Sequence, residues 1–588
     1  MVKKERYIDS FGYLHTSTFA DDCFSSAIGI GVLELLERDG DYLLRICAEK
    51  GKYLKEQLVL VQQACPGVIA NVSGRGLMLG VEFSHQKNNA SPLIRLLSEQ
   101  SLLGFVVSGF MLNEMNIRVA PTVSSHAVIR IEPSAYISNE QMDHCISAFR
   151  LVAEIIGKGD SLRLCGFLAE RKMMTLQATE VVQEYVNDEV VITGEVDHRI
   201  AFIGHFLEPY DLAHWDKNLY PLSPENCRSL LDRTLGVLAP FVVKEHILQS
   251  EVGTKVGISV IGIPMTAEQF SVAMQKGDTS EALAIIKDAV NLAKNRGAGI
   301  IGFGGYTSIV TNNCTDLVES SIGLTSGNSL TAAAAIEAIA QAASERGIDV
   351  SNATLGIVGA AGNIGKVLAE VMADEVGSIK LIMRRRGKKR LVRLVNEIYG
   401  HKLHKDISAS LCGIDRVLMA TESYKNNEDA HATFDEFRLS LEAELGDKAP
   451  ISIVSEMEAL QDCDLIICAT NSPEPIVFPK HIGQQSVIIC DIATPQDVSS
   501  DVISEKPNAV VIEGGVIKLP RQQTMDIGGM ELDKGNVYAC MAETIILGMT
   551  GMNSHFSYGP LIPAKVRQIR DLARIHGFTF DIQKITCE

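Results

Sequence analysis

The chain has 588 residues, 46% of them hydrophobic and 21% charged, a composition that builds several packed globular domains and excludes a disordered or fibrous chain. A formal net charge of −18 weighs against general affinity for nucleic acid or for an anionic membrane, and no apolar run approaches the roughly 20 residues of a spanning helix. The 13 cysteines form no CxxC pair and no zinc-type spacing with histidine, and no secretory leader is apparent, so free thiols in a reducing cytoplasm and no metal centre are expected.

In chain order, His15-Thr16-Ser17-Thr18-Phe19 precedes a small-residue helix predicted over 25–36 and a second helix with apolar spacing through Leu54 and Leu58. Gly74-Arg75-Gly76-Leu77-Met78-Leu79-Gly80 follows, then short strand-like runs at 116–119 and 128–133 and a helix over 139–156. This alternation of helix and strand is α/β or α+β. Residues 158–198 turn charged and irregular and are expected to be a linker. Beyond it, patterning predicts a strand over 255–263 and an amphipathic helix over 281–296. Two loops follow, Gly304-Gly305-Tyr306-Thr307-Ser308 and Thr325-Ser326-Gly327-Asn328-Ser329, and the second leads into an alanine-rich helix that stops near Gly347.

Thr354–Val358 runs straight into Gly359-Ala360-Ala361-Gly362-Asn363-Ile364-Gly365, with a helix predicted over 363–374. A strand, a GxxGxxG turn and a helix in succession bring backbone N–H groups and a helix terminus against phosphate. Gly359, Gly362, Asn363, Ile364 and Gly365 are therefore candidate binders of a dinucleotide, with a tight structural turn as the alternative. The next strand, 379–383, ends on Arg384, Arg385 and Arg386, where an NAD-binding sheet would place an acid. Guanidinium groups hold a 2′-phosphate by forked, charge-assisted bonds, so Arg384 and Arg385 are expected to select NADPH, unless the three are a solvated cluster. Apolar runs at 464–468, 486–490 and 509–512 add strands, and the loop Ala469-Thr470-Asn471 makes Thr470 a further cofactor contact.

Cys540 lies in Asn536-Val537-Tyr538-Ala539-Cys540-Met541-Ala542-Glu543, at the start of an apolar helix. The positive end of a helix favours thiolate, which attacks carbonyl carbon. A nucleophilic thiol beside a hydride donor points to acyl transfer onto sulfur followed by reduction to an aldehyde. Glu543, one helical step on, is expected to orient a donor, to take a proton, or to be a helix-surface carboxylate. His205, in Ile203-Gly204-His205, is a third catalytic candidate, with a structural role as its alternative.

Residues 1–157 resemble the C-terminal part of class III pyridoxal-phosphate aminotransferases, through H-x-S-T-F at 15–19 and G-x-G-L-M-x-G at 74–80. The resemblance implies that Thr18 contacts the cofactor phosphate of a neighbouring subunit and that Arg130 meets a substrate carboxylate. That family's Schiff-base lysine lies upstream of the matched motifs, and Ala20-Asp21-Asp22-Cys23 replaces its G-G-N-P. PLP chemistry is thus expected only if a partner aminotransferase subunit supplies the missing lysine domain.

Residues from about 200 onward resemble long-chain acyl-[acyl-carrier-protein] reductases. The matches are Ile203-Gly204-His205, Gly304–Ile309, Ser326-Gly327-Asn328, Val358–Gly365, Gly514-Gly515-Val516, Ala539–Glu543 and Phe556-Ser557-Tyr558-Gly559. Asn553 and His555 depart from that pattern and leave any role of its histidine open. The resemblance implies NADPH-dependent reduction of an acyl-carrier-protein or CoA thioester through an acyl-enzyme on Cys540. The expected architecture is α/β: an aminotransferase C-terminal-like domain (1–157), a linker (158–198), a reductase substrate domain (199–350), a Rossmann-type NADP-binding domain (351–520) and a C-terminal helical segment with the cysteine (521–588). Homo-oligomeric assembly is expected. Amination of the aldehyde would couple the two parts; the alternatives are aminotransferase activity completed by the partner, or a non-catalytic NADP-binding subunit.

Overall fold

The structure is a computed structural model that describes residues 22–38, 41–169, 192, 194–317, 321–383, 387–404, 407, 412–426, 433–472, 474–493, 496–530, 532–580 and 583–584. The chain divides into two compact units, Met1–Tyr185 and Val186–Glu588. Both are mixed α/β.

The first unit is built on an antiparallel sheet of β1 (Ile69–Arg75), β2 (Met78–Phe83), β3 (Ala120–Pro121) and β4 (Val128–Ile131), in the order β1-β2-β4-β3. Gly74 and Gly76, at φ +113° and +58°, make the β1–β2 turn. Helix Tyr42–Ala64 packs on this sheet and helix Asn139–Lys158 packs on that helix, with Leu54, Leu58, Val61, Phe149 and Val152 buried. The strand expected at 116–119 does not form: helix Leu103–Met115 ends on Asn116 in the left-handed conformation, and pairing begins only at Ala120. The unit also runs past the expected domain end. Asp160 caps a short helix, Ser161–Cys165, whose Leu162, Leu164 and Cys165 are buried, so the charge there starts a helix instead of marking a linker. Helix Cys23–Glu37 buries none of its residues.

The second unit holds two large sheets. One is β5 (His198–Phe206), β6 (Phe241–Gln249), β7 (Lys255–Thr266), β8 (Ile300–Phe303) and β9 (Gly323–Thr325), ordered β6-β7-β5-β8-β9 and parallel except for β6. The other comprises β10 (Thr354–Val358), β11 (Ser378–Ile382), β12 (Ile451–Val454), β13 (Leu465–Cys468), β14 (Val487–Asp491) and β15 (Ala509–Glu513), all parallel. Its order is β12-β11-β10-β13-β14-β15, with the antiparallel β19 (Gln583–Lys584) at one edge, so the winding reverses beside β10. A small sheet joins β16 (Val516–Lys518), β17 (Asn536–Tyr538) and β18 (Thr579–Phe580).

Residues 521–588 are therefore not a separate helical segment. Helix Ala539–Met549 is apolar on every side and needs cover on every side, and all its residues but Cys540 are buried. Two glycines allow that depth. A Cβ on Gly302 of β8 would collide with Thr544, and one on Gly548 would meet Ile200 of β5 at 2.5 Å. Among the described residues no single helix is long and apolar enough to cross a membrane. Helices Pro92–Glu99 and Leu103–Met115 reach that composition only together, bent by 114°.

Candidate functional site

The glycine turn is fixed by close approach. Gly359 sits at φ +90°, and a Cβ there would come within 2.5 Å of the Ala469 carbonyl oxygen at the end of β13. A Cβ on Gly365 would overlap the Gly359 carbonyl, so helix Asn363–Met372 can press its N-terminus onto the turn only without one. A cavity of about 370 Å³ opens here, walled by Gly362, Asn363, Lys366, Arg390, Asn313 and Gly559. Lys366 pairs with Glu397 at 2.8 Å, and Arg390 is exposed in the first turn of helix Lys388–Leu403. Arg384, Arg385 and Arg386 lie outside the described residues, as do Thr18 and the rest of 15–19.

Ile364 is half-buried and packs against the core of the sheet. The Asn363 side chain points to protein: its Nδ2 donates to the Gly559 carbonyl at 3.1 Å, and its Oδ1 accepts from the Leu561 amide at 3.0 Å. Thr470 is likewise committed to protein, its amide donating to buried Asp497 at 2.9 Å and its hydroxyl to the same carboxylate.

Cys540 is the second residue of its helix, and Gly327, at φ +74°, lies so close that a Cβ there would overlap Cys540 Cα and Cβ. The expected thiolate is not what this environment favours. Burial pushes the thiol up to about 12, the nearby Glu543 carboxylate adds to the rise, and the Met541 amide opposes it. Desolvation thus outweighs the helix terminus.

Glu543 is fully buried, which excludes the helix-surface reading. One carboxylate oxygen accepts from the Thr325 hydroxyl, and the other accepts from the Leu330 amide at 2.7 Å, in the first turn of helix Asn328–Arg346. Burial raises its pKa against these bonds and one from Ser557. The Ser557 amide donates to Thr325 Oγ1 at 3.1 Å, its hydroxyl pairs with that of Ser329 at 2.6 Å, and its carbonyl accepts from the Ser326 amide at 2.9 Å. From Ser557 the chain runs to Gly559, whose amide donates to the Asn313 carbonyl at 2.8 Å and whose carbonyl accepts from Asn363. The Gly515 carbonyl accepts from the Ala539 amide at 2.7 Å, at the start of the cysteine helix. Segments far apart in sequence thus meet around one thiol and connect to the glycine turn. Thr325, Ser329 and Ser557 are residues that sequence reasoning leaves without a role, and the signal for them is hydroxyl residues clustered beside glycine at 325–329 and 556–559.

His205 is a different case. Its Nδ1 lies 2.8 Å from the Phe206 carbonyl and its Nε2 accepts from the Tyr306 amide at 3.0 Å, so both ring nitrogens are spent. Burial lowers its pKa to about 4. Contrary to the catalytic expectation, the imidazole is a neutral strut that holds the turn before Tyr306. His555 accepts from the Leu324 amide at 3.1 Å and stacks on Tyr558, which places it at the end of β9. Arg130 is exposed beside Glu132, at 3.9 Å.

The features so far describe an α/β chain with a close-packed glycine turn at one sheet and a partly exposed cysteine at the start of a buried helix. The family model for class III aminotransferases matches residues 3–152. The chain is 27% identical over 347 residues to the Aminotransferase PigE of Serratia sp., covering 58% of this chain and 34% of that one. It is 24% identical over 327 residues to the Long-chain acyl-[acyl-carrier-protein] reductase of Synechococcus elongatus, covering 53% of this chain and 78% of that one. Both resemblances drawn from the motifs are therefore present, and the chain spans about a third of the length of the first relative. Among solved structures, the lysine aminotransferase from M. tuberculosis in the internal aldimine form overlaps 21% of this chain and 24% of that one, at 21% identity and a TM-score of 0.17.

Proposed function

We propose that residues 186–588 bind NADPH and reduce an acyl thioester, carried on acyl carrier protein or CoA, to an aldehyde through an acyl-enzyme on Cys540. What supports this most is the convergence of Thr325–Leu330, Ala539–Glu543 and Phe556–Gly559 at Cys540, tied by Asn363 to the glycine turn. The second sheet has the β12-β11-β10-β13-β14-β15 order of doubly wound dinucleotide-binding folds, and the turn lies where the winding reverses. A backbone cradle that no Cβ could share, at a helix N-terminus, fits a pyrophosphate. Gly359, Gly362 and Gly365 would hold it, with Arg390 and the three arginines at 384–386 toward a 2′-phosphate. NADPH, when bound, supplies hydride.

The chain's own part begins at sulfur. Cys540 Sγ forms a bond to the thioester carbon, and its proton passes to the departing pantetheine sulfur, which leaves as thiol. This transfer answers the high thiol pKa, since no free thiolate has to accumulate. Glu543 fixes the cysteine helix to the start of helix Asn328–Arg346 and keeps the thiol in register with the Gly327 turn. With hydride supplied to the Cys540 thioester carbon, the carbon–sulfur bond would break, aldehyde would depart, and the released sulfur would take a proton from solvent to become thiol again.

The family match over residues 3–152 favours an amination role for the first unit beside this reduction. Its described residues do not assemble a PLP site by themselves. Lys50 Nζ is spent on the Ala135 and Ile137 carbonyls, Lys55 Nζ on the Gly74 carbonyl, and Arg130 is exposed. The test of the reductase is to incubate the chain with NADPH and a panel of acyl-carrier-protein and acyl-CoA thioesters. Trapped aldehyde with matched NADPH oxidation is expected; oxidation without aldehyde, or neither, would refute it.

A further inference from the structure

Of the three hydroxyl side chains in the loop 325–329, two are paired and one is not. Thr325 is bonded to Glu543 and Ser329 to Ser557, whereas Ser326, 1% exposed, has a hydroxyl with no hydrogen-bond partner. A buried orphan of this kind is costly, and in a folded protein it calls for a reason. Ser326 directly precedes Gly327, the residue pressed against Cys540. The positive ends of two helices meet there: Asn328–Arg346 begins right after Gly327, and Ala539–Met549 carries Cys540 in its first turn. The amides of Ser329 and Leu330 are already spent, on Ser557 and Glu543. An uncommitted hydroxyl donor one residue from the glycine that touches Cys540, beside two helix termini, supplies the elements of an oxyanion site.

We propose that Ser326 is a catalytic residue whose hydroxyl donates a hydrogen bond to the carbonyl oxygen of the acyl thioester as that oxygen becomes an oxyanion. The inference rests on the reductase reading above. In the acylation step the Cys540–carbon bond forms and the carbonyl π pair moves onto oxygen, where Ser326 stabilises it without giving up its proton. Collapse restores the C=O bond and expels the pantetheine sulfur, which takes the proton released by Cys540. When the Cys540 thioester accepts hydride, the same oxygen carries the charge and Ser326 meets it again.

Ser326→Ala in the full chain separates this role from others. The single-turnover rate of Cys540 acylation by an acyl-CoA is expected to fall about 10²–10³-fold, the usual cost of one lost oxyanion donor. Alkylation of Cys540 by iodoacetamide displaces iodide from saturated carbon and develops no oxyanion, so its rate should not change. The melting temperature should hold or rise, because the hydroxyl removed had no partner. Acylation at the wild-type rate, equal slowing of alkylation, or a lowered melting temperature would each overturn the role of Ser326. A wild-type chain that forms no acyl-enzyme overturns the reductase reading itself, and this proposal with it.

Discussion

Two helices of similar apolar character have opposite surroundings. Helix Ala539–Met549 is buried at every residue but Cys540, whereas Cys23–Glu37 buries none, with Phe24 at 74% and Ile30 at 58% exposure. Composition alone does not separate them. The difference is the neighbours: glycines at 302 and 548 open a slot for the first, while the described residues bury no side chain of the second. The contrast teaches that an apolar run says a helix wants cover, and only non-local packing says whether it has it.

The contrast is sharpest at the thiol. Cys540→Ser should lower labelling by a radiolabelled acyl donor and aldehyde formation by at least about a thousandfold, since a serine hydroxyl has no partner base here. A variant that keeps most of its turnover would mean the acyl group never sits at residue 540. The effect of burial on Cys540 has a pH signature. With the thiol pushed up to about 12, its alkylation by iodoacetamide should climb roughly tenfold per pH unit from 7 to 10 without levelling. A plateau reached below pH 9 would show that the helix terminus, not desolvation, governs the thiol.

Packing can be tested next. Ile546→Ala should cost about 2–5 kcal/mol in urea unfolding followed by Trp215, the single tryptophan, which lies in the same unit. Ile30→Ala should change stability by less than about 0.5 kcal/mol by circular dichroism. Equal losses would show that the Cys23–Glu37 face is covered after all. His205 adds an effect that appears only on acidification. Its folded pKa, about 4, lies below the free value of 6.5, so the neutral ring stabilises the fold above pH 6.5 and that contribution is lost as pH falls through 4. The loss is at most about 3.5 kcal/mol, from about 2.5 pH units at roughly 1.4 kcal/mol each. His205→Gln should flatten the decline of unfolding free energy over this range; parallel curves for variant and wild type would assign the acid sensitivity elsewhere.

The sequence announced the local parts of this molecule. Runs such as Leu465–Cys468 and Val487–Asp491 are continuous apolar strands because both faces of a parallel sheet are covered, and the glycine turn is a chain-local device. Asn116–Val119 misled because apolar alternation cannot reveal a left-handed helix end at Asn116. At the cysteine, the helix and its thiol were legible. The role of Glu543 was not, since its partners Leu330 and Thr325 lie 213 and 218 residues away. Ser326 was visible as a letter in a motif; that its hydroxyl has no partner depends on how everything around it is paired.

Asn363 has one consequence that reaches beyond its two hydrogen bonds. It opens the helix under the glycine turn and at the same time clasps residues 559 and 561, a few positions from the serine that braces the thiol's surroundings. Under the proposed function, a ligand seated on the turn and an acyl group seated on sulfur would bear on the same amide. Thermodynamic linkage makes such an arrangement reciprocal: whatever factor one occupant imposes on the affinity of the other is returned unchanged.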